Sequence, residues 1–172
     1  YGLVGSEMCI RDRNKICGAT DIALTEFGHQ QAVETGEKIL KEGIQADEIL
    51  YSPLVRAADT AKHISEMTGI PARPEPRLTE QNFGKWESTA RDGADFKKAK
   101  ECFAMSHEGV ESTLRLAQRI YNLLDEIREE SDEKTYILVA HNGIARVVQS
   151  YFHDMTNEEY AASVSYTHLR AH

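Results

Sequence analysis

The chain has 172 residues, a formal net charge of −8, 41% hydrophobic residues and 28% charged residues. That is one domain's length with ordinary globular composition, enough to bury a sizeable core. The acidic balance argues against nucleic-acid and membrane-surface partners, which select basic patches. No apolar run approaches the roughly 20 residues a membrane span needs. An anionic small substrate stays open, because a local cluster of Arg and His can bind phosphate inside an acidic protein. Cys9, Cys17 and Cys102 give neither a disulfide framework nor a metal-ligand spacing. With no signal-peptide pattern at the start, a reducing, cytoplasmic setting is expected.

The opening stretch, residues 1–13, shows neither helical period nor clean strand alternation. The closing stretch, residues 163–172, shows none either. Both resemble peptides that arise when sequencing-adapter DNA is translated. The expected organisation is therefore a non-native leader at 1–13, a domain at 14–162 and a non-native tail at 163–172.

Within the middle, helices and strands alternate. Thr25 is a plausible N-cap for a helix over 29–42, with Ala32, Val33, Gly36, Ile39 and Leu40 on one face and Gly43 at its end. A short strand at 48–51 closes on Ser52-Pro53. A second helix over 55–67 presents Ala57, Ala61 and Ile64, and is punctuated by Gly69 and Pro71. Three prolines make 71–76 extended. Residues 88–108 form a polar excursion with some helix around 95–103. A long helix over 111–129 repeats Leu114, Ala117, Ile120, Leu124 and Ile127 at three- and four-residue steps, the strongest periodic signal in the chain. Tyr136–Ala140 is a continuous apolar run, as in a strand buried on both faces. A last helix spans 144–152. The expected fold is α/β, a three-layer sandwich with a mostly parallel sheet covered by helices on both faces.

Ligands of such sheets bind beyond the carboxyl ends of the strands, and three polar groups lie there. Arg56 follows the 48–51 strand at a helix start, where a guanidinium can fork two phosphate oxygens. From position alone, an ordinary surface arginine is an equal reading. His141 directly follows the buried strand, as a ligand-facing or a satisfied structural histidine. Glu80, near Phe83 and Trp86, could carry a raised pKa and protonate a leaving group, though this signal alone is weak.

Four blocks carry a resemblance. Cys17-Gly-Ala-Thr-Asp-Ile-Ala-Leu-Thr-Glu-Phe-Gly28, Ser52-Pro-Leu-Val-Arg-Ala-Ala-Asp-Thr-Ala61, Leu78-Thr-Glu-Gln-Asn-Phe-Gly-Lys-Trp-Glu87 and Val139-Ala-His-Asn-Gly143 are similar, in order, to motifs of the histidine phosphatase superfamily, which includes cofactor-dependent phosphoglycerate mutase. The resemblance implies a phosphomonoester hydrolase acting through phosphohistidine. Arg56 and His141 would hold the phosphoryl oxygens, and Glu80 would protonate the leaving alkoxide. Cys17, Gly18 and Asn142 would line the substrate. For the hydrolase the resemblance implies neither a metal nor another cofactor. The partner expected is a small phosphorylated metabolite, with neither nucleic acid nor membrane. Phosphoglycerate mutase and a non-catalytic phosphate-binding pseudoenzyme are the alternatives. The Phe-Gly-Lys-Trp-Glu block is closer to the phosphatase branch.

One departure matters. The family's first strand ends in Arg-His-Gly, whose His is the nucleophile, and the 172 residues contain no such motif. Met8-Cys-Ile-Arg-Asp-Arg13 stands in that region, and none of the seven histidines can replace the nucleophile. The first central strand is thus expected to be missing or replaced, by truncation rather than by genuine loss. Open sheet edges and lost core contacts would leave the chain poorly folded and inactive. The excursion holds Arg91, Lys97, Lys98 and Lys100, read as a solvated surface before a second anion contact. Glu111-Ser112 is read as a helix cap.

Overall fold

The structure is a computed structural model that describes residues 2–5, 15–90, 92–94, 96, 103–106, 108–130 and 133–162. Its strands are β1 (Gly2–Gly5), β2 (Glu48–Tyr51), β3 (Ala72–Pro74) and β4 (Tyr136–Ala140), and its α-helices are α1 (Glu26–Lys41), α2 (Val55–Thr68), α3 (Thr113–Glu130), α4 (Asn142–Phe152) and α5 (Asn157–Ala162). Two single-turn 3-10 helices, Pro76–Leu78 and Gly84–Trp86, join β3 to the later chain. The sheet order is β1-β4-β2-β3, and every pairing is parallel.

The apolar run of β4 explains the layering. All five of its residues are buried. Successive side chains of a strand point to opposite faces. Tyr136, Leu138 and Ala140 join one core cluster with Leu116 and Ile120 of α3 and Val147 of α4. Ile137 and Val139 join the other, with Ile39 of α1 and Ala57 and Ile64 of α2. Each face of the sheet thus buries an apolar layer under a helix pair, which is the expected three-layer sandwich. Truncating a side chain such as Leu138, fully buried at this junction, costs about 2–5 kcal/mol.

Local signals fixed most element ends. Thr25 caps α1, its hydroxyl accepting the Gly28 N–H at 3.1 Å. Gly69 ends α2 in the left-handed conformation at φ 74°. Ser112 accepts the Arg115 N–H at 3.3 Å, which satisfies an orphan donor at the start of α3, as its reading as a cap requires. Two face assignments need correction. Leu114 and Leu40 are 58% and 54% exposed, while Leu116 and Leu123 fill the α3 seam instead. Both exposed leucines lie at the edge of an apolar stripe, where periodicity alone leaves the facing direction open by one residue.

The strand beside β4 is replaced, not missing. Gly2–Gly5 pairs with Ile137–Ala140 in register, so the β4 edge expected to be open is covered. Sheet ladders are main-chain hydrogen bonds, and a short stretch holding Leu3 and Val4 can supply them whatever its origin. Among the described residues β1 forms an edge of the sheet. The helix expected around 95–103 and the basic residues Arg91, Lys97, Lys98 and Lys100 lie largely or wholly outside the described residues, as do Cys9, Cys102 and the Met8–Arg13 stretch. No helix among the described residues is long and apolar enough to cross a membrane.

Candidate active site

The carboxyl ends of β2 and β4 are neighbours because the two strands pair directly. Ser52 leaves β2 with its N–H on the Val139 carbonyl at 2.9 Å. His141 leaves β4 and becomes the residue before α4. Their side chains meet, His141 Nε2 and Ser52 Oγ sharing a hydrogen bond at 2.7 Å. Both are buried. Burial, together with the cations Arg56 and Arg119, holds the His141 pKa well below the ordinary 6.5, so the ring is neutral at pH 7.

Arg56 sits in the first turn of α2, whose opening N–H, from Val55, is accepted by the Asp21 carboxylate at 2.8 Å. The residue is buried, 3% exposed. It donates to the Gly18 carbonyl at 2.7 Å and the Thr20 carbonyl at 2.8 Å. Arg56 is therefore no ordinary surface arginine. It anchors the 18–20 loop with one side of its fork and has further N–H groups for another acceptor.

Glu87 fixes the same loop from the other side. Its carboxylate accepts from the N–H groups of Gly18, Ala19 and Phe83 at 2.9–3.0 Å and from Thr20. Burial raises its pKa, but these donors outweigh burial and hold it below the usual carboxylate value. Gly18 fits only because it has no side chain: a Cβ there would lie 2.1 Å from the Gln81 carbonyl. Cys17, partly buried, precedes it with Sγ facing the Thr20 carbonyl at 4.0 Å.

Glu80 is buried and reaches the start of α4. Oε2 accepts the Gly143 N–H at 3.0 Å and Oε1 accepts the Gln81 N–H at 2.9 Å. Burial raises its pKa more than these two bonds, Arg56 and Arg119 lower it. The raised direction is the one expected from sequence, with burial as its largest cause. Phe83 and Trp86 pack with Ile16 and Phe96 in a cluster of their own.

The structure thus gathers Arg56, Gly18, Glu80 and His141 at one end of the sheet, with Cys17 adjoining. Asn142 is the first residue of α4 and partly buried. Among the described residues no group of three or more His, Cys, Asp or Glu could hold a metal ion. Sequence reasoning missed Ser52, Glu87 and Arg119. The first two lie inside recognised blocks, where Ser before Pro at a strand end was the available signal. Arg119 gave none, being one of several charged residues on a long amphipathic helix.

Residues 7–170 match the histidine phosphatase superfamily (branch 1). The chain belongs to that superfamily. Within it, the chain is 28% identical over 159 residues to a 2,3-bisphosphoglycerate-dependent phosphoglycerate mutase of Chelativorans sp. (strain BNC1), covering 86% of this chain and 77% of the relative. It is 32% identical over 145 residues to a glucosyl-3-phosphoglycerate phosphatase of Mycobacterium tuberculosis (strain CDC 1551 / Oshkosh), covering 76% of this chain and 64% of that one. The chain thus matches under two thirds of that relative's length. A mycobacterial glucosyl-3-phosphoglycerate phosphatase solved with inorganic phosphate superposes with TM-score 0.74 at 28% identity, over 87% of this chain and 78% of the other. The superfamily fold expected from the four blocks is the fold observed.

Proposed function

We propose that the Arg56–Glu80–His141 pocket is the phosphate-ester site of a phosphomonoester hydrolase whose nucleophile this chain does not supply. The observation that carries the reading is the meeting of three unlike groups at one sheet end. There is a permanently charged fork, a neutral buried imidazole and a carboxyl that holds its proton above the usual range. Such a set suits a dianionic phosphoryl group bonded to a poor leaving group.

In this reading Arg56 and His141 take the phosphoryl oxygens and offset the charge that builds in transfer. With the family's nucleophilic histidine in place, its ring nitrogen would take the phosphoryl group while Glu80 gives its proton to the departing ester oxygen, and water would then attack the phosphohistidine and give a proton to Glu80. Gly18, with Cys17 and Asn142 beside the pocket, lines the substrate side. No metal is invoked, because Arg56 supplies the fixed positive charge. The family's nucleophile belongs to Arg-His-Gly, absent from the 172 residues, so this chain is expected to bind phosphate without turning esters over. The substrate class is a small phosphorylated metabolite, in keeping with the names of both relatives. The cysteine pattern supports a reducing, cytoplasmic setting.

The test begins from register. Gly5, the last residue of β1, pairs with Ala140, one residue before His141, and the triple variant Gly5→Arg, Ser6→His, Glu7→Gly writes Arg-His-Gly directly after Val4 in the sequence. Hydrolysis of p-nitrophenyl phosphate is expected from the triple variant and not from the parent. Turnover by the parent chain would contradict the account of the nucleophile. A second assay follows 3-phosphoglycerate with a bisphosphoglycerate primer. Free phosphate supports the hydrolase, and isomerisation with little phosphate release supports the mutase.

A further inference from the structure

Residues 77–82, which carry Glu80, have little regular structure of their own beyond one 3-10 turn. Leu78 is buried in the main core cluster, and at both ends of the stretch its polar groups meet the Glu111–Arg119 pair. Glu111 lies just before α3, and its backbone runs beside this stretch: its N–H donates to the Asn82 carbonyl at 2.8 Å. Its carbonyl accepts from Gln81 Nε2 at 2.8 Å, and the neighbouring Val110 forms an antiparallel bridge with Phe83. The Glu111 carboxylate takes the Arg119 guanidinium in a two-pronged grip, Nε at 2.7 Å and a terminal nitrogen at 2.9 Å. The other terminal nitrogen of Arg119 donates to the Arg77 carbonyl. Arg77 is itself clamped by Glu75 at 2.8 and 2.9 Å and reaches Glu126 of α3 at 2.8 Å.

We propose that Arg119, gripped by Glu111, is a positioning residue that pins both ends of the 77–82 stretch to α3 and so aims the Glu80 carboxyl at the start of α4. The fork geometry suits the task. A planar guanidinium bonded on two edges has one orientation, which a lysine cannot reproduce. Glu80 bonds only the adjacent Gln81 N–H on its own stretch, so its reach to Gly143 depends on where the stretch is held. The positive charge of Arg119 also acts on Glu80 and His141 in the direction that lowers both pKa values. This inference rests on reading Glu80 as the proton donor of the site.

Amide hydrogen exchange and the 13C titration of the Glu80 carboxyl, both on the full chain, test it. In Arg119→Met, exchange at the Gln81 and Gly143 amides is expected to rise on the order of tenfold, as for a local opening, while α2 amides such as Ala61 keep the parent rate. The Glu80 titration is expected to move upward in the same variant, and Arg119→Lys is expected to recover the titration but not the slow exchange. Glu111→Gln keeps the cation, weakens the grip and should show the exchange effect even if Arg119→Met fails to fold. Parent-like exchange at Gly143 in a folded variant would overturn the proposal. Equal acceleration in α2 would overturn it too, since that marks a general loss of stability. Neither result bears on whether Arg56 and His141 bind phosphate, so failure here is separable from failure of the hydrolase reading.

Discussion

The Glu80 carboxylate accepts the Gly143 N–H at 3.0 Å and so closes the first turn of α4 in place of the cap that His141 does not provide. The contact is close enough that a Cβ on residue 143 would lie 2.5 Å from Glu80 Oε1. A helix start would usually favour an ionised carboxylate. Burial wins here, and the carboxyl holds its proton more tightly than usual. The site therefore keeps an acid where the local donors would prefer an anion.

Glu80→Gln should be more stable than the parent at alkaline pH. A carboxyl whose pKa rises on folding contributes stability that is complete below its ordinary 4.5 and is lost as pH climbs through the raised native value. The amide removes that loss and keeps an oxygen for Gly143, while its NH2 group gives up the bond from the Gln81 N–H. The expected gain is about 1 kcal/mol at pH 8, shrinking as the buffer is acidified toward pH 4.5. Denaturant unfolding at the two pH values reads it. A pH-independent difference would mean that Glu80 is not the group responsible.

Anion binding should be coupled to proton uptake. His141 is neutral when the pocket is free, mainly through burial and then through Arg56 and Arg119. A bound dianion restores a reason for the ring to charge. Calorimetric titration with sulfate, whose own charge is constant near neutrality, in two buffers of different ionisation enthalpy should show uptake in weakly acidic solution. His141→Gln should abolish it. The same depressed pKa makes His141 a source of acid lability, its contribution being present above 6.5 and lost as pH falls through the native value.

Glu87→Gln should loosen the 18–20 loop. The carboxylate serves the N–H groups of Gly18, Ala19 and Phe83 together with Thr20, and an amide oxygen can satisfy fewer of them. A loss of about 3 kcal/mol is expected at neutral pH, on the scale of hydrogen bonds to a charged group. Because the native pKa is lowered, that stabilisation is present above the ordinary 4.5 and fades as pH falls through the native value. The difference between variant and parent should therefore narrow in acid.

The legible parts of this molecule were those written in local chemistry. Tyr136–Ala140 announced a buried strand, Thr25 and Gly69 marked helix ends, and His141 directly after a strand and Arg56 at the helix start that follows one stood out as candidates. Long-range pairing was not legible. Nothing local ties Ser52 to His141, Glu87 to Gly18 or Arg119 to Arg77, since each contact spans tens of residues and depends on the finished sheet. The α5 turn of six residues was missed because a segment that short carries less than two helical periods. Gly2–Gly5 was missed as a strand because four residues framed by glycine show no alternation to count, and pairing with β4 is supplied by the partner's backbone.

The most direct measurement is an NMR titration of the full chain with inorganic phosphate, followed at the ring nitrogens of His141 and repeated in Arg56→Ala. The account predicts a saturable shift of the His141 signals toward the protonated form. In the variant, binding should weaken at least tenfold, the loss of a charge-assisted grip worth about 1.5–3 kcal/mol. An unmoved His141, or equal affinity in parent and variant, would contradict the claim that these two residues converge on one phosphoryl group.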